Sequence, residues 1–272
     1  MILAADSLGF SYPGRAGPVF SGISLDIAAG EVVCVLGPNG VGKSTLLRCL
    51  AGLSVPGAGS VRLEGQPIAS LPRAAIARLL ALVPQSYETV FAFSVRTVVE
   101  MGRAPHLGLF DAPGDEAAKM TRDALATLGI PHLIDAAYGE ISGGERQLVQ
   151  IARVLVQTPK LMILDEPTAH LDFANQARFL ALMRRLAAGG LAVIFTTHAP
   201  DHAYALADRT LVMSPDHPPV LGPTAEILTE AVLSRAYGLP IRLIRAGSHV
   251  ACVAEFEPAR SDLIPSVPQN LA

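Results

Sequence analysis

The chain has 272 residues, 50% of them hydrophobic and 17% charged, with a formal net charge of −3. This length suits one large domain, or a core domain with a subdomain, and the slightly acidic balance argues against a nucleic-acid surface. No apolar run approaches the roughly 18–20 residues of a membrane span, and the N-terminus lacks the basic and apolar segments of a signal peptide. Three scattered cysteines without CxxC spacing predict buried, reduced thiols in a cytosolic protein.

Short apolar runs alternate with turns in the first part of the chain. EVVCVLG (31–37) predicts a buried strand, STLLRCLAGL (44–53) a helix, and VRLEG (61–65) a further strand. After VPQ (83–85) the pattern changes. The segments SVRTVVEMGR, EAAKMTRDALATLGI and ERQLVQIARVLVQ have helical spacing, broken by Pro and Gly.

Strand–helix–strand patterning then returns. KLMILDEP (160–167) and LAVIFTTH (191–198) are continuous apolar runs, and QARFLALMRRLAAGG between them reads as an amphipathic helix. Such units predict a parallel sheet with helices packed on it, interrupted by the helical stretch. From about residue 240, IRLIRAG and HVACVAEFE predict a small hairpin, followed by a loose tail after Pro258.

The segment GPNGVGKST matches GxxxxGK[ST] in full and lies between a predicted strand and a predicted helix, the context that confirms this motif. Its glycines let the backbone curl around phosphates with the N–H groups inward. Lys43 would place a charge on the β- and γ-phosphates, and the Ser44 hydroxyl would bind Mg²⁺. The predicted nucleotide-binding residues are Gly37, Pro38, Asn39, Gly40, Val41, Gly42, Lys43, Ser44 and Thr45.

Two adjacent acids end the predicted strand LMILDE, at the carboxyl edge of the sheet where ligands of open α/β sheets bind. Asp165 would anchor Mg²⁺ through water, and Glu166 would be the general base that polarises the attacking water. Successive strand residues point to opposite faces, so we expect a turn at the strand end to bring both acids into the site. Adjacent acids are common by chance at a strand end. The glycine loop upstream is what indicates a functional role for this pair.

A second anion cradle lies at ISGGERQ (141–147), where a serine and two glycines precede a predicted helix. Backbone N–H groups and the positive end of the helix dipole both point at an anion in such a place. One domain therefore carries two phosphate cradles, far apart in the sequence.

The motifs GPNGVGKST, VPQ, ISGGERQ, LMILDE, HLD and TTH occur in that order. In this order they resemble the nucleotide-binding subunit of an ATP-binding cassette (ABC) transporter, over roughly residues 2–245. The SGG motif makes the resemblance specific, because other P-loop kinases and GTPases lack it. The resemblance implies an ATPase with ATP and Mg²⁺ as cofactors.

The fold implied is α/β: a P-loop NTPase of the RecA-like type. It has a parallel sheet core, an antiparallel β part at the N-terminal side and an inserted α-helical subdomain. The predicted domains are an ATP-binding core of residues 1–85 and 158–240, a helical subdomain of residues 86–157, and a C-terminal hairpin and tail of residues 241–272.

The resemblance also implies a homodimer in which two subunits pack head to tail. The SGG helix of one subunit would close over the ATP in the glycine loop of the other, so the second cradle serves the partner's nucleotide. The resemblance implies that Tyr12 stacks on adenine and that Gln85 contacts Mg²⁺ and the lytic water. Ser142, Gly143 and Gly144 would contact the partner's γ-phosphate. Asp172 would cross between the subunits, and His198 would bond to the γ-phosphate. An ordinary core or surface role stays open for Tyr12.

Two positions depart from the family pattern. Glu145 replaces the glutamine of LSGGQ and would repel a triphosphate, unless its carboxylate turns away or Arg146 pairs with it. His170 replaces the small residue that is commoner before LD. Neither change removes a catalytic group, so we expect an active ATPase. HAPDH (198–202) has histidines at i and i+4, but Pro200 between them and the lack of a third ligand argue against zinc.

Four kinds of ABC protein compete. A translation factor usually has two cassettes, whereas this chain has one. A DNA-repair ATPase would have a long coiled-coil insertion, and an exporter would often be fused to membrane spans, and neither is seen in this sequence. An importer subunit on a separate permease remains. TVVEMGRAPHLGLF (97–110), LDFANQ (171–176) and FTTHAPDHA (195–203) resemble the type II importers, which carry iron–siderophore complexes, haem, cobalamin and molybdate or tungstate.

The importer resemblance implies that a permease dimer docks near residues 86–110, with Tyr87, Phe91, Phe93 and Arg103 near its groove. The alternative is a plain subdomain surface. A substrate-binding protein would be an indirect partner, no nucleic acid is expected, and the chain would sit on the cytoplasmic face of the inner membrane through the permease. Iron–siderophore is the first cargo expected.

Overall fold

A computed structural model describes the chain over residues 1–14, 17–85, 93–108, 111–169, 171–247 and 249–255. The predictions made for Tyr87, Phe91, His170 and the tail after Pro258 lie outside the described residues. Over these ranges, no helix combines the length and the apolar composition needed to span a membrane.

The strands are Leu3–Phe10 (β1), Phe20–Ile27 (β2), Val32–Leu36 (β3), Ala58–Leu63 (β4), Gln66–Pro67 (β5), Leu80–Val83 (β6), Leu161–Leu164 (β7), Ala192–Thr197 (β8), Arg209–Val212 (β9), Val220–Pro223 (β10), Ile241–Ala246 (β11) and His249–Ala254 (β12). The helices are Lys43–Leu50 (α1), Arg73–Leu79 (α2), Val95–Glu100 (α3), Asp115–Thr127 (α4), Gly143–Gln157 (α5), Phe173–Ala188 (α6), Pro200–Leu206 (α7), Thr224–Ile227 (α8) and Glu230–Tyr237 (α9). Short 3₁₀ segments cover Ile68–Ser70, Met101–His106 and Pro131–Leu133.

The central sheet has the strand order β10-β9-β3-β8-β7-β6, with β10 antiparallel to β9 and the other pairs parallel. Strands β3, β7 and β8 are buried along their whole length. Helices cover both faces of a parallel sheet, which explains why these strands read as unbroken apolar runs in the sequence. The carboxyl ends of β3, β7 and β8 lie side by side and carry the site.

A second sheet has the order β2-β1-β4-β5 and is antiparallel throughout. Its inward side chains pack with the apolar face of α1 and with β3 in one buried cluster. Leu46, Leu47 and Leu50 of α1 are fully enclosed there. The predicted α/β fold, with an antiparallel part formed by N-terminal strands, is confirmed.

Helices α3, α4 and α5 enclose a separate cluster that includes Val95, Leu125, Tyr138 and Val149. The predicted helix SVRTVVEMGR is shorter than expected: α3 ends at Glu100 and the chain continues as a 3₁₀ segment that contains Pro105. Proline lacks the N–H that a continued α-helix would need.

Strands β11 and β12 form the predicted C-terminal hairpin, paired from Ile241 with Ala254 to Ala246 with His249. The hairpin packs on α7 and α9. The domain boundaries after residues 85, 157 and 240 stay a prediction.

Candidate active site

The glycine loop connects the end of β3 to the start of α1. Gly42 has a φ of 108°, and a Cβ atom at that position would lie 2.6 Å from Val19 Cγ1. A Cβ atom on Gly37 would lie 2.5 Å from the carbonyl oxygen of Met213. Glycine is required at Gly37 because the carbonyl oxygen of Met213 leaves no room for a side chain, and at Gly42 because the backbone also has a positive φ. The loop is therefore held in a tight curl above β3.

Lys43 lies inside this curl, with only 5% of its surface exposed. Its ammonium donates hydrogen bonds to the carbonyl oxygens of Gly37, at 2.8 Å, and Pro38, at 3.2 Å. It also forms an ion pair of 3.1 Å with Oε1 of Glu166. A buried charge needs such partners, and the loop holds this cation at the point where phosphates would bind.

The remaining loop residues divide by exposure. Asn39, Gly40 and Ser44 face solvent, whereas Val41 and Thr45 are buried. The Thr45 hydroxyl is 2.9 Å from the hydroxyl of Tyr12.

Tyr12 is 45% exposed. Its ring packs edge-to-face against the ring of Phe10, with the two ring centroids 4.9 Å apart. The tyrosine is anchored beside the start of α1, and much of its ring remains accessible for stacking. Its role toward adenine stays a prediction.

Asp165 and Glu166 follow β7 directly and are both buried. The hydroxyl of Thr196 on β8 donates to Asp165 Oδ1 at 2.7 Å and accepts from the Glu166 N–H at 2.8 Å. Glu166 has a φ of 48°, in the left-handed region that non-glycine residues rarely adopt. In a continued strand the two acids would point to opposite faces of the sheet. The left-handed turn instead lets both acids face the same edge.

Glu166 connects three elements of the site. Its Oε1 contacts Lys43 on α1, and its Oε2 lies 2.6 Å from Nδ1 of His198, which follows β8. The Glu166 side chain is 8% exposed, whereas the His198 side chain is 52% exposed. The carboxylate is thus fixed inside the site, and the imidazole covers it from the solvent side.

The donor set suits Mg²⁺. The Asp165 carboxylate and the Ser44 hydroxyl are hard oxygen ligands of the kind that Mg²⁺ binds beside phosphates, and Asp165 retains Oδ2 beyond its bond to Thr196. These two residues would hold the ion.

The signature segment has a different local structure. Ser142 caps α5: its hydroxyl accepts from the Glu145 N–H at 3.3 Å, and the Glu145 carboxylate accepts from the Ser142 N–H at 2.8 Å and the Ser142 hydroxyl at 2.7 Å. This is a complete capping box. Hydrogen bonds from Ser142 lower the pKa of Glu145. Of the two arrangements considered for Glu145, the carboxylate turns back onto Ser142, while Arg146 donates to the carbonyl of Ile141.

A cavity of about 630 Å³ opens at this end of α5. Its lining includes Gln85, Ser142, Gly143, Gly144, Arg146, Gln147, Gln150, Asp172 and Asn175. The side-chain nitrogen of Gln147, a residue only 8% exposed, has no hydrogen-bond partner within the described residues. A buried amide of this kind costs free energy unless something satisfies it. The cavity is suited to a polar ligand.

The predicted residues therefore fall into two groups. Lys43, Asp165, Glu166 and His198 surround the glycine loop, as expected from the sequence. Gln85 and Asp172 instead line the cavity with the signature serine and glycines. Asp172 also caps α6, where its Oδ1 accepts from the Asn175 N–H at 2.7 Å.

His202, the second histidine of HAPDH, contacts hydroxyl groups. Its Nδ1 lies 3.1 Å from the Thr168 hydroxyl and 3.5 Å from that of Thr197. Burial lowers the pKa of His202, which keeps the imidazole neutral. Across the described ranges, no group of three His, Cys, Asp or Glu side chains could hold a metal ion.

Sequence reasoning missed three residues of the site. Thr196 positions both acids, Gln147 lines the cavity, and Tyr237 donates from its hydroxyl to the carbonyl oxygen of His198 at 2.7 Å. The sequence could have identified Thr196, because it is the first residue of the TTH motif and lies on a strand next to the acids. Tyr237 carries no local signal, because 39 residues separate it from its partner.

The curled glycine loop, its buried lysine and the paired acids define a P-loop protein that binds a nucleoside triphosphate. Comparison with known proteins narrows this class. The family model described as ABC transporter matches residues 20–169. The hemin import ATP-binding protein HmuV of Streptomyces coelicolor is 39% identical over 244 residues, covering 89% of this chain and 85% of that protein.

Two further matches agree. The molybdate import ATP-binding protein MolC of Haemophilus influenzae is 35% identical and covers 88% of this chain and 89% of that protein. A solved structure assigned to a metal-chelate type ABC transporter in an inward-facing conformation superimposes with a TM-score of 0.83, at 33% identity, covering 94% of this chain and 98% of that one. The chain therefore belongs to the ABC transporter family, as an ATP-binding subunit, and it is an ATPase.

Proposed function

We propose that this chain is the ATP-hydrolysing subunit of an importer that takes up a metal chelate through a separate membrane permease. The observation that carries the proposal is the buried Glu166 carboxylate, held between Lys43 and His198 at the mouth of the glycine loop. The names of the similar proteins, which refer to hemin and molybdate import, support the transport direction.

In the proposed reaction, the loop N–H groups and Lys43 bind the β- and γ-phosphates of ATP. Glu166 accepts a proton from the attacking water as its oxygen bonds to the γ-phosphorus and the bond to the β–γ bridging oxygen breaks. His198 Nδ1 faces Glu166, so its Nε2 is the ring nitrogen left to face the γ-phosphate, and it donates there only when both ring nitrogens carry protons. Bound Mg²⁺, held by Ser44 and Asp165, would neutralise phosphate charge.

The proposed working unit is a head-to-tail homodimer with two ATP molecules between the subunits. Ser142 and the two glycines after it open α5 at the edge of the cavity, where N–H groups and the helix dipole favour an anion. Gln147 lines the same cavity, and its buried side-chain nitrogen has no hydrogen-bond partner in the part of the chain that the structure describes. Both features suit a polar ligand delivered by a second copy of the chain.

The predicted docking segment packs on the end of α5, and this packing would act as a lever from the permease to the signature segment. The Arg103 guanidinium donates to the carbonyl of Val156 at 3.0 Å, and a ring nitrogen of His106 lies 2.9 Å from the carbonyl of Gln157. These carbonyls end α5, which begins at Gly143, about 22 Å away at 1.5 Å per residue. Arg103 thus ties the predicted docking segment to α5, while its position near a permease groove stays a prediction.

Among the residues predicted to lie near the docking groove, Phe93 is within the described part of the chain and is exposed to solvent. Phe93→Asp is expected to weaken copurification with the permease and to lower uptake, while ATP hydrolysis by the isolated chain is retained. Val55→Asp is the matched control, because Val55 is also apolar and exposed but lies elsewhere. Equal copurification of both variants would reject the docking surface and leave a plain subdomain face.

The cargo is chosen by the permease and the binding protein, since the cassette never contacts it. Several of the similar proteins are named for hemin import and one for molybdate import. These names make haem the first cargo to test, ahead of the iron–siderophore expected from the sequence. Cobalamin remains a further candidate of the same chemical class.

The deciding experiment is elemental. Cells lacking this gene are grown under iron limitation, with haem as the iron source or with trace molybdate, and cell-associated iron, cobalt and molybdenum are measured by mass spectrometry. Complementation uses the wild type and Glu166→Gln. Loss of one element, restored by the wild type alone, would support the importer and identify its cargo class. No change in any element would favour the remaining alternative, an ABC ATPase without a transport role.

A further inference from the structure

The carbonyl of His198 has a partner from the C-terminal part of the chain. The Tyr237 hydroxyl donates to it at 2.7 Å, and the next N–H, that of Ala199, donates to the Thr197 hydroxyl at 3.0 Å. Both sides of the peptide group that follows His198 are therefore hydrogen-bonded. These bonds restrain the backbone from which the imidazole projects, and the Nδ1 of that ring meets Glu166.

Tyr237 is the last residue of α9, and Gly238 ends the helix with a φ of 71°. Leu233 and Ala236 anchor the buried face of the helix. Burial raises the pKa of the Tyr237 hydroxyl, with Cys34 adding to the effect, so the phenol stays protonated and remains a donor.

The hairpin β11–β12 fixes α9 against α7, the helix that follows His198. On the α9 side, the Ser234 hydroxyl accepts from the Ile241 N–H at 2.8 Å and Glu230 Oε1 accepts from the Leu243 N–H at 2.9 Å. On the α7 side, Asp201 Oδ1 accepts from the Cys252 N–H at 2.8 Å. The hairpin thus holds in place both α7, which follows His198, and α9, which carries Tyr237.

We propose that Tyr237, held in place by the C-terminal hairpin, is a positioning residue for His198 in ATP hydrolysis. The inference rests on the proposed role of His198 at the γ-phosphate. Tyr237 contacts a backbone oxygen and not the nucleotide, so its effect should fall on the rate of the chemical step. Binding of ATP, which depends on the glycine loop and Lys43, should be preserved.

The test is steady-state ATPase kinetics of the full-length chain. Tyr237→Phe keeps the ring and removes the hydroxyl, and it is expected to lower kcat about fivefold, the effect of one ordinary hydrogen bond, with KM for ATP changed less than about twofold. Tyr204→Phe is the matched control, because the Tyr204 hydroxyl donates to the carbonyl of Leu228, away from His198. This control is expected to retain kcat, and both variants should melt at the same temperature.

A double-mutant cycle separates positioning from general damage. If Tyr237 acts through His198, adding Tyr237→Phe to His198→Ala should lower kcat no further. A further fivefold loss in that background, or an unchanged kcat in Tyr237→Phe alone, would overturn the positioning role. An unchanged kcat in His198→Ala alone would instead reject the proposed role of His198, and the inference with it.

Discussion

The ammonium of Lys43 and the carboxylate of Glu166 form a buried ion pair, 3.1 Å apart, between the glycine loop and the end of β7. The two side chains come from different motifs, one that would bind phosphate and one that would activate water. A phosphate bound in the loop would compete with Glu166 for the same cation. The pair therefore links phosphate binding to the position of the proposed base.

Removing one partner of this pair should cost stability. Glu166→Ala leaves the Lys43 charge buried with only carbonyl partners, and loss of one member of a buried pair typically costs about 3 kcal/mol or more. Glu64→Ala is the control, because Glu64 forms an ion pair of 2.7 Å with Lys160 that is exposed, and such pairs contribute at most about 1 kcal/mol. Urea unfolding of the nucleotide-free chain measures both. Equal losses would contradict the buried pair.

The isosteric change Glu166→Gln should remove hydrolysis with little loss of stability. The amide oxygen can still accept from Lys43, but it cannot take a proton from water, so kcat should fall by about 10²–10⁴-fold. ATP binding, measured by isothermal titration, is expected to persist. A variant that hydrolyses ATP at the wild-type rate would exclude Glu166 as the base.

The same variant tests the sandwich dimer. With hydrolysis blocked, saturating ATP and Mg²⁺ should hold two copies together, and light scattering should report a doubled mass. Glu166→Gln combined with Lys43→Ala is the control and is expected to remain monomeric, because the loop has lost its cation for the phosphates. A Glu166→Gln chain that stays monomeric in saturating ATP would contradict the proposed dimer.

Much of the site could be predicted from the sequence because its motifs are local. GKST, the acids after LMIL and the final histidine of TTH each end or begin an element, and the parallel sheet brings these ends together. The predicted α/β fold follows from the same patterning. The sequence indicates that a turn is needed at the end of β7 to bring both acids into the site. It does not indicate the left-handed conformation of Glu166, since nothing in the residue type favours it.

The remainder depends on contacts between distant segments. Arg103 meets the end of α5 across 53 residues, and Tyr237 meets His198 across 39. No periodicity or motif marks such pairs, because each depends on how separate elements pack. Resemblance to the family predicts that Arg103 lies near a permease groove, and nothing in that resemblance indicates its hydrogen bond to the end of α5.

Glu145 should influence ATP-driven dimerisation through its charge. Its carboxylate accepts from the two Ser142 donors that are proposed to meet the partner's γ-phosphate. Glutamine also completes a capping box, so Glu145→Gln should keep the melting temperature and lower the ATP concentration at half-maximal dimerisation in the Glu166→Gln background. Glu140→Gln, a nearby exposed acid, is the control for net charge. Equal effects of both changes would reject a specific competition at Ser142.

Acid sensitivity should depend partly on His202. Burial lowers the pKa of His202 in the folded chain, so the unfolded chain binds the proton more tightly. Its contribution to stability is complete above about pH 6.5, the ordinary histidine value, and is lost as the pH falls through the folded pKa. The melting temperature of His202→Gln should therefore fall less between pH 7.5 and 5.5 than that of the wild type. The exposed His217→Gln should match the wild type, and a parallel fall in all three would contradict this role.

The contact between the predicted docking segment and α5 requires a glycine at position 102. A Cβ atom there would lie 2.0 Å from the carbonyl oxygen of Arg153 and 2.6 Å from Val156 Cγ2, both on α5. Gly102→Ala should therefore force the two segments apart and cost about 3 kcal/mol, the upper range for overpacking. Urea unfolding measures the loss.

Gly114→Ala is the matched control for this change, because a Cβ atom at Gly114 would meet nothing within 4 Å. Its cost should stay at about 1 kcal/mol, because Gly114 is the N-cap of α4 and alanine is a poorer cap than glycine. If the two alanine variants unfold at the same urea concentration, the docking segment does not pack on α5 as described. In that case the proposed lever from Arg103 and His106 to Ser142 fails as well, because it needs this contact to carry a movement of the permease to the signature segment.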